Sequence, residues 1–443
     1  MSDMLNDPIA KMAATGQAQL AIDTFSRHLH AVRNGATGFL TKDHIKPVKN
    51  IPSIETLDLH SENIRDKIKK TIVLKLNGGL GTSMGLNGAK SLLPAKGKWS
   101  FLDVIVQQVL YIRKRFRVPL PLVLMNSFRT KEESLNALKK HKELGGSLPF
   151  DFLQHQVPKI RQDNYLSVQY PQDPSHEWCP PGHGDIYTSI VTSGILKQML
   201  DQGYEYAFVS NSDNLGATLD LKILDWFAEE ECPFLMEVAD RNINDKKGGH
   251  LAGLKVGGLA LRELAQCPAD ELGTFQNTRI FQYFNTNSLW INLKQLSSTL
   301  AERDFVLDLP LIVNQKTVNP NDRKSTPIYQ LETAMGSAIS LFSKAAAIRV
   351  SRDRFMPVKT TNDLIRLWSD LFELQEDFSI TPAPDRKVPE LEIDLDPNYF
   401  GQIHQLKARF PNGVPSLKYC EQLVVKKDVT FDSKCPLTGC INL

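Results

Sequence analysis

Short apolar runs alternate with segments of helical periodicity along most of the chain. Residues 71–76 form a mostly apolar run typical of a buried strand, and residues 120–126 and 206–210 form two more. Between the first two runs, the apolar residues of 101–116 recur at helical spacing. Strands that alternate with helices predict a sheet covered by helices on both faces. The pattern therefore predicts an α/β fold with a mostly parallel central sheet.

Two of the helix starts carry a capping-box pattern. Ser100 is followed three residues later by Asp103, and Thr130 is followed three residues later by Glu133. In a capping box each side chain bonds the backbone N–H of the other residue, so both pairs predict a helix N-terminus. Further along, the pattern predicts an extended segment at 152–155, helices at 188–200 and 219–231, and a strand at 234–238.

The pattern changes towards both ends of the chain. The N-terminal residues predict a helical, partly polar lead-in with a helix over 18–32. Beyond about residue 340 the alternation weakens, and the Pro- and Asp-rich residues 380–397 are typical of a linker. The other elements expected there are a helix over 361–374 capped by Thr361 and β-like alternation after residue 423. We expect three parts: a helical extension at 1–66, the main α/β domain at 67–375, and a linker with a short β segment at 376–443.

Composition narrows the classes of partner. The chain has 443 residues, and its 52 Lys and Arg against 50 Asp and Glu give a net charge of +2. This balance supplies no positive field, so we expect no nucleic-acid partner. The first residues lack the apolar core of a signal peptide, and no stretch approaches the roughly 20 apolar residues of a membrane span. We therefore expect no membrane partner.

The six cysteines form neither a disulfide framework nor a zinc motif. Only Cys435 and Cys440 are close in sequence, and no second cysteine pair or histidine pair accompanies them. Reduced thiols are typical of the cytosol, so the cysteine pattern predicts a cytoplasmic protein.

The first strand leads directly into a glycine-rich stretch, residues 77–88, which we call the glycine loop. Backbone this rich in glycine approaches phosphate closely and directs N–H groups at it. The dinucleotide fingerprint G-x-G-x-x-G does not fit, because the loop has the spacing G-x-G-x-x-x-G. The Walker A motif does not fit either, because Ala89 separates Gly88 from Lys90. The loop is therefore predicted to bind phosphate in a pattern other than these two.

Six sequence blocks, in order between about residues 70 and 375, resemble those of one known family. They are LNGGLGTSMG (76–85) with AKS (89–91), PPGHGDIY (180–187), VSNSDNLGAT (209–218), FNTN with LW (284–290), QLETA (330–334) and RFMPVKTT (354–361). These blocks are similar to those of the UTP–glucose-1-phosphate uridylyltransferases of eukaryotic type. The resemblance implies a nucleotidyltransferase (Rossmann-like) sheet for the main domain.

The resemblance also implies a reversible reaction that joins UTP and glucose 1-phosphate into UDP-glucose and pyrophosphate. A sugar-phosphate oxygen would attack the α-phosphorus in line. A phosphate monoester has its second pKa at about 6, so this nucleophile is already an anion at pH 7 and needs no general base. The obstacle is repulsion between two polyanions, and catalysis then depends on positioning and charge neutralisation. We expect backbone N–H groups, lysines and a divalent metal rather than a nucleophilic side chain.

By resemblance, Lys90 and Lys359 are the expected catalytic residues, since Lys90 would bind the triphosphate and Lys359 would bridge phosphates of both substrates. The residues expected to bind the nucleotide are Leu76, Asn77, Gly78, Gly79, Lys90, Gln154, Gly182, Asp213 and Lys359. Among them, Gln154 would read uracil with help from Gly182, because an amide both donates and accepts. The residues expected to bind the sugar phosphate are His183, Asn211, Asn285, Asn287 and Glu332, with His183 as a hydrogen-bond donor and not a base.

Asp213 is the expected ligand of Mg²⁺, the one cofactor predicted. It follows a strand, where ligands of α/β sheets lie. Mg²⁺ takes one or two carboxylates and otherwise prefers water and phosphate oxygens, so a single aspartate suffices. On spacing alone, Asp213 could instead cap a helix N-terminus.

The chain departs from the family pattern at two points. The family usually has proline where Ala89 stands. Alanine relaxes the backbone there but leaves Lys90 in place, so we expect activity to survive. The family also usually ends in a longer β-helical domain used for self-association, whereas this chain ends soon after what resembles its first strands. We therefore expect a monomer or a small homo-oligomer.

Other functions compete with this interpretation. The nearest is a related UTP-dependent pyrophosphorylase for another sugar 1-phosphate, such as that of galactose or N-acetylglucosamine. The GTSMG form of the loop and the pair Asn285 and Asn287 favour glucose. A catalytically silent nucleotide-sugar sensor predicts loss of Lys90, Asp213 or Lys359, and all three are present. A dehydrogenase is disfavoured because the dinucleotide fingerprint fails.

Overall fold

The computed structural model describes residues 7–59, 62–86, 88–242, 245–320, 322–387, 391–432 and 435–443. The chain folds into two compact units. The first unit contains Met1–Leu74, Phe152–Val209 and Asp220–Val350, and the second contains Lys75–Asp151, Ser210–Leu219 and Ser351–Leu443. The two units therefore interleave along the chain, whereas the sequence pattern predicts three consecutive parts with bounds at about 66 and 375.

Helices and strands are numbered in chain order. The α-helices are α1 (Pro8–Ala14), α2 (Gln19–Arg33), α3 (Ile64–Lys69), α4 (Phe101–Phe116), α5 (Lys131–Leu138), α6 (Ile186–Thr192), α7 (Ile195–Asp201), α8 (Leu221–Glu229), α9 (Leu272–Phe275), α10 (Leu293–Ala301), α11 (Thr361–Trp368), α12 (Pro397–Phe400) and α13 (Ile403–Arg409). The strands of the first half of the chain are β1 (Ile45–Lys46), β2 (Thr71–Asn77), β3 (Pro94–Lys96), β4 (Trp99–Ser100), β5 (Leu122–Asn126), β6 (Asp151–Leu153), β7 (Val157–Pro158), β8 (Ile160–Arg161), β9 (Trp178–Cys179) and β10 (Tyr206–Asn211). Those of the second half are β11 (Phe234–Asp240), β12 (His250–Leu254), β13 (Leu259–Arg262), β14 (Tyr283–Asn292), β15 (Leu311–Thr317), β16 (Pro327–Thr333), β17 (Ala346–Arg349), β18 (Phe372–Leu374), β19 (Ile380–Pro382), β20 (Glu392–Leu395), β21 (Tyr419–Val425) and β22 (Thr438–Asn442).

In the first unit, the sheet is organised around β14. This strand pairs antiparallel with β10, β11 and β12. β12 also pairs antiparallel with β1 and β13, whereas β11 pairs in parallel with β17. The predicted α/β fold with a large central sheet is confirmed. The sequence pattern does not predict the antiparallel pairs of β14, because repeated alternation of strands and helices favours parallel pairs.

Helix α2 belongs to the predicted lead-in and buries one apolar face in the first unit. Its buried residues recur at helical spacing and are Ala21, Ile22, Phe25, Leu29 and Val32. They share a core with Val157, Ile160, Leu311 and Leu331 from strands β7, β8, β15 and β16. The predicted helix at 18–32 is therefore confirmed, with its observed bounds one residue further along.

The second unit holds the glycine loop between β2 and α4. β2 is buried along its whole length, and in this unit the end of β2 lies between the end of β10 and β5. α4 begins with the predicted capping box, since Asp103 N donates to Ser100 Oγ at 3.1 Å and Ser100 N donates to Asp103 Oδ2 at 3.0 Å. Near the C-terminus β21 pairs in parallel with both β20 and β22, which confirms a short β segment there.

Two predicted helices are corrected. The helix expected at 188–200 is divided into α6 and α7, because Gly194 between them adopts φ +73°. The helix expected at 361–374 ends at Trp368 and is followed by β18. Its cap is Thr360 and not the expected Thr361, and Thr360 and Asp363 form a capping box.

Two further local predictions are wrong. The linker expected at 380–397 contains β19 and β20, which pair with β18 and β21. These strands are too short to show in a hydrophobic pattern and become visible only through their partners. The capping box expected at Thr130 and Glu133 does not form, because the Thr130 side chain makes no capping bond to α5.

None of the helices in the described part of the chain is long and apolar enough to cross a membrane. All six cysteines are free thiols, and Cys179, Cys232 and Cys420 are buried.

Candidate active site

The start of the glycine loop is fixed by buried polar contacts in the second unit. Asn77 donates through Nδ2 to Asn126 Oδ1 at 2.8 Å and to Ser134 Oγ at 2.7 Å. Leu76 O accepts from Ser212 N at 3.0 Å. Since these groups are buried and paired, the chain leaves β2 at a defined angle.

The loop closes on itself so that its end returns to its beginning. Leu80 and Ala89 form an isolated antiparallel bridge, and Lys90 N donates to Gly79 O at 3.2 Å. Gly79 is exposed, and a Cβ placed on it would meet no protein atom within 4 Å. The loop therefore presents open backbone at Gly79 and brings Lys90 beside it.

Lys90, Asp213 and Lys359 meet in the second unit, and we call them the phosphate cluster. Asp213 Oδ2 accepts from Lys90 Nζ at 2.8 Å and from Lys359 Nζ at 2.6 Å. The backbone supports the meeting, since Val358 N donates to Asp213 O at 3.1 Å and Asn214 bridges Pro357. Three segments far apart in sequence thus place two cations on one carboxylate.

Asp213 remains ionised in this cluster. Burial alone would raise the pKa of Asp213, but Lys359 and Lys90 outweigh burial and lower it below its ordinary value. Asp213 follows β10 in a turn and precedes no helix directly, so the helix-cap alternative is excluded. Asn211 ends β10 two residues before it, and its carbonyl accepts from Asn214 N at 3.3 Å.

The second oxygen of Asp213 fits a divalent cation. Asp213 Oδ1 is buried and has no hydrogen-bond partner among the described residues. In the described ranges no group of three or more His, Cys, Asp and Glu is placed to hold a metal. A metal on Asp213 would therefore take its other ligands from water and phosphate, which is the coordination that Mg²⁺ prefers.

In the first unit, Gln154 and Gly182 are brought together as expected. Gln154 Nε2 donates to Gly182 O at 2.9 Å. Gly182 adopts φ +79°, and a Cβ on it would lie 2.4 Å from Thr333 O. Only glycine fits here, because both the backbone conformation and the closeness of β16 exclude a side chain.

His183 is held in one tautomer by the backbone. Met335 N donates to His183 Nδ1 at 2.9 Å, so Nδ1 accepts and the ring proton lies on Nε2. A neutral imidazole with its proton on Nε2 can donate a hydrogen bond from that atom. This geometry agrees with the donor role expected for His183.

Asn285 and Asn287 lie at a bulge of β14. The register with β11 shifts between Glu237 and Val238, and Asn287 adopts φ +56°. Asn285 Nδ2 donates to Asn287 Oδ1 at 2.9 Å, and Asn287 N donates to Asn285 Oδ1 at 3.0 Å. A bulge redirects side chains away from the regular pleat, so both amides are held in one small feature.

Glu332 lies on β16, one residue before Thr333. Burial raises the pKa of Glu332, and Lys316 together with the Asn314 side chain opposes that rise. The end of β16 packs on the 180–187 block, since Thr333 N donates to Pro181 O at 3.0 Å. Glu332 is therefore placed close to the turn that carries His183.

Three supporting residues were not recognised from the sequence. Asp185 Oδ2 accepts from His155 N at 2.7 Å, and His155 Nδ1 lies 3.0 Å from Asp185 Oδ1. This pair ties the segment after Gln154 to the turn that holds His183. In the second unit, Lys75 donates to Ser210 Oγ and to Ala217 O, both at 2.7 Å, and so ties β2 to the turn around Asp213. The only indication of their role in the sequence is that they lie next to, or within two residues of, the expected site residues.

Comparison with known proteins gives one consistent result. The sequence model of a family described as UTP–glucose-1-phosphate uridylyltransferase matches residues 22–438. An enzyme of that name from Encephalitozoon cuniculi is 38% identical over 405 residues, which cover 90% of this chain and 77% of the relative. A UDP-glucose pyrophosphorylase variant from Leishmania major, solved in complex with UDP-glucose, is 40% identical, with a TM-score of 0.90 over 98% of this chain and 93% of the other. A UDP-glucose phosphorylase structure from Trypanosoma brucei is 41% identical, with a TM-score of 0.88 over 98% of each chain. The chain belongs to the UTP–glucose-1-phosphate uridylyltransferase family.

Proposed function

We propose that this protein joins UTP and glucose 1-phosphate into UDP-glucose and pyrophosphate, and catalyses the reverse reaction as well. The observation that carries the proposal is the phosphate cluster, in which Lys90 and Lys359 reach one carboxylate beside an open glycine loop. UTP and glucose 1-phosphate are both anions, and the repulsion between these substrates is the main barrier to their reaction. Cations placed between the phosphates lower that barrier. The enzymes that the chain resembles carry the name of this activity.

In the proposed reaction an oxygen of the sugar phosphate forms a bond to the α-phosphorus of UTP. The bond from that phosphorus to the β-phosphate oxygen breaks, and pyrophosphate leaves with the electron pair. No proton has to be removed from the nucleophile, since a phosphate monoester is an anion at pH 7. Lys90 would neutralise the departing phosphates, and Lys359 would hold phosphates of both substrates.

The remaining roles follow the family resemblance. In the second unit, Leu76, Asn77, Gly78 and Gly79 would hold the nucleotide through their backbone, and Asn211 would bind the sugar. In the first unit, Gln154 and Gly182 would bind uracil. His183 would donate from Nε2 to the sugar phosphate. Asn285, Asn287 and Glu332 would bind sugar hydroxyls, and the bonds between the two asparagines hold them ready for that task.

Mg²⁺ is the proposed cofactor, and Asp213 would hold it through the buried oxygen Oδ1. The metal supplies charge neutralisation on the triphosphate when bound. Asp213→Asn keeps the shape but removes the charge, so we expect loss of Mg²⁺-dependent turnover by about 10²-fold or more. Asp432→Asn, at an exposed position of the same unit, is the control and should leave turnover unchanged. Turnover by Asp213→Asn that retained its magnesium requirement would place the metal elsewhere.

The function is tested with purified protein, Mg²⁺ and UTP. A panel of glucose, galactose and N-acetylglucosamine 1-phosphates is added, and pyrophosphate release is measured. We expect release with glucose 1-phosphate and discrimination of roughly 1–3 kcal/mol per misfit group against the others. A faster reaction with another sugar would favour the competing pyrophosphorylase, and no release with any sugar would contradict the proposal.

We also propose a cytoplasmic location, which the six free thiols support. The proposed assembly is a monomer or a small homo-oligomer, and sedimentation of the purified protein would decide between them.

A further inference from the structure

The first turn of α5 contacts both ends of the glycine loop. At the start of the loop, Ser134 Oγ accepts from Asn77 Nδ2 at 2.7 Å. Directly after the last residue of the loop, Glu133 Oε2 accepts from Ala89 N at 2.8 Å. Two neighbouring residues of one helical turn therefore hold the loop where it begins and where it ends.

Glu133 makes this contact in place of a helix cap. Its spacing from Thr130 is that of a capping box, yet the Thr130 side chain makes no capping bond to α5. Thr130 Oγ1 instead accepts from Ser127 N at 3.0 Å. The carboxylate of Glu133 is directed to the loop, although the residue lies at an exposed position of α5.

Gly88 leaves room for the carboxylate. A Cβ placed on Gly88 would lie 2.5 Å from Glu133 Oε2 and 3.0 Å from Oε1. Any side chain there would push Glu133 away from the Ala89 N–H. The absence of a side chain at Gly88 therefore leaves the space that the Glu133 carboxylate occupies.

The bond at Ala89 is one residue away from a proposed catalytic lysine. Ala89 bridges Leu80, and Lys90 N donates to Gly79 O at 3.2 Å. Lys90 Nζ then reaches Asp213 Oδ2 at 2.8 Å. Fixing Ala89 therefore fixes the backbone from which the Lys90 side chain extends.

We propose that Glu133 is a positioning residue, which holds the end of the glycine loop through the Ala89 N–H so that Lys90 is directed at the phosphates. The proposal rests on the proposed function, because it assigns Glu133 an effect on uridylyl transfer. Glu133 acts through the backbone of Ala89 and need not touch a substrate. Its acceptor oxygen, and not its charge, is the feature that matters.

The variants follow from this distinction. Glu133→Ala removes the acceptor, whereas Glu133→Gln keeps an acceptor oxygen and removes the charge. Ala89→Pro removes the donor, and Ala89 already has φ −62°, within the range that proline requires. Glu132→Ala, at the neighbouring exposed position of the same turn, is the matched control.

Turnover with UTP and glucose 1-phosphate is measured first for the unaltered protein, since its absence would overturn the proposed function itself. We then expect Glu133→Ala to lower kcat about 10- to 100-fold, the scale for misplacing one catalytic group, with little change in KM for glucose 1-phosphate. Glu133→Gln should recover most of that loss, and Glu132→Ala should lose less than about 2-fold. Equal losses in Glu133→Ala and Glu133→Gln would overturn the role of the acceptor.

The double variant separates positioning from general stability. In the Ala89→Pro background the N–H is gone, so adding Glu133→Ala should change kcat by less than about 2-fold. A full additional loss in that background would overturn the proposal, as would unchanged kcat in Glu133→Ala alone. If Ala89→Pro is inactive, the double-mutant cycle of Ala89→Pro and Glu133→Ala is measured instead on the affinity for UTP by calorimetry. Losses of UTP affinity that add up in the double variant would overturn the proposal.

Discussion

Asp213 is the residue on which the charges of the second unit converge. Its Oδ2 accepts from both Lys90 and Lys359, and the two cations lower the pKa of Asp213. The triphosphate of UTP would compete with this carboxylate for the same two lysines. The cluster therefore keeps its cations in place between turnovers, at the cost of breaking two ion pairs when substrate arrives.

Lys359→Ala should slow turnover far more than it weakens UTP binding. The Lys359 side chain is 58% exposed, so we expect its loss to leave the fold intact while removing one preorganised charge. We expect kcat to fall by about 10²-fold or more, against a change of less than about 10-fold in the Kd of UTP measured by calorimetry. An unchanged kcat would remove this lysine from the mechanism.

At the residue scale, the charged residues of the phosphate cluster are easier to single out from the sequence than the residues that hold them in place. Lys90 and Asp213 follow buried strands, and a ligand site at strand ends is a general property of α/β sheets. The spacing from Thr130 predicts a helix cap for Glu133, because a local spacing cannot show that its carboxylate reaches residue 89. The sequence does not reveal the role of Asp185 for the same reason, since its partner His155 is 30 residues away.

Among the elements, α4 shows how a helix start carries both geometry and charge. Its capping aspartate, Asp103, also contacts Lys140 at 2.7 Å and His141 at 2.9 Å. Burial would raise the pKa of Asp103, but Lys140, the Ser100 hydroxyl and N–H, and His141 outweigh it and lower the pKa to about 2. The carboxylate thus stabilises the fold as an anion.

Asp103→Asn should lower the free energy of unfolding at pH 7. It should also make the free energy of unfolding less dependent on pH in the acidic range. A carboxyl whose pKa is lowered by folding stabilises the protein at pH values above its pKa in the unfolded chain, which is near 3.8. This contribution is lost as the pH falls towards 2. After allowance for solvent screening, we expect a loss of about 1 kcal/mol at pH 7. Urea unfolding at pH 7 and at pH 2.5 measures the gap between variant and parent, and a gap that did not shrink in acid would contradict the assignment.

The turn at Gly182 offers a prediction about elements in contact. Gly182 and Gly203 both have positive φ, +79° and +82°, so alanine strains both alike, by about 1–2 kcal/mol. Only at Gly182 would the new Cβ meet a backbone atom, Thr333 O at 2.4 Å. Gly182→Ala should therefore lower kcat/KM by more than about 10-fold, while Gly203→Ala keeps activity with a small drop in Tm. Similar kcat/KM values for the two variants would show that β16 yields to the side chain.

For the whole molecule, the periodicity of the sequence predicts the class of fold but not the division of the chain into two compact units. Alternating strands and helices indicate an α/β protein, and the elements are found close to the expected positions. The partition into units depends on contacts between segments more than 70 residues apart, such as Lys75 with Ser210 and Ala217. Local patterns carry no record of such contacts, so consecutive parts were the natural expectation.

The thiols provide a test of the packing as a whole. Cys435 and Cys440 are exposed, whereas burial raises the pKa of Cys179 to about 12 and that of Cys232 to about 11. A thiol reagent at pH 8 should therefore modify Cys435 and Cys440 rapidly and the others slowly until the protein is unfolded. Serine at both exposed positions should remove the rapid phase and leave turnover unchanged. Loss of turnover in that double variant would contradict the view that these thiols lie outside the site.

The strands β2, β6 and β10 each carry the chain from one compact unit into the other. Each unit is therefore encoded by three separated stretches of the gene. No single breakpoint in the gene separates the stretches of one unit from those of the other, so recombination of this kind cannot exchange one unit on its own. Phylogenies calculated from the codons of each unit should accordingly branch in the same order.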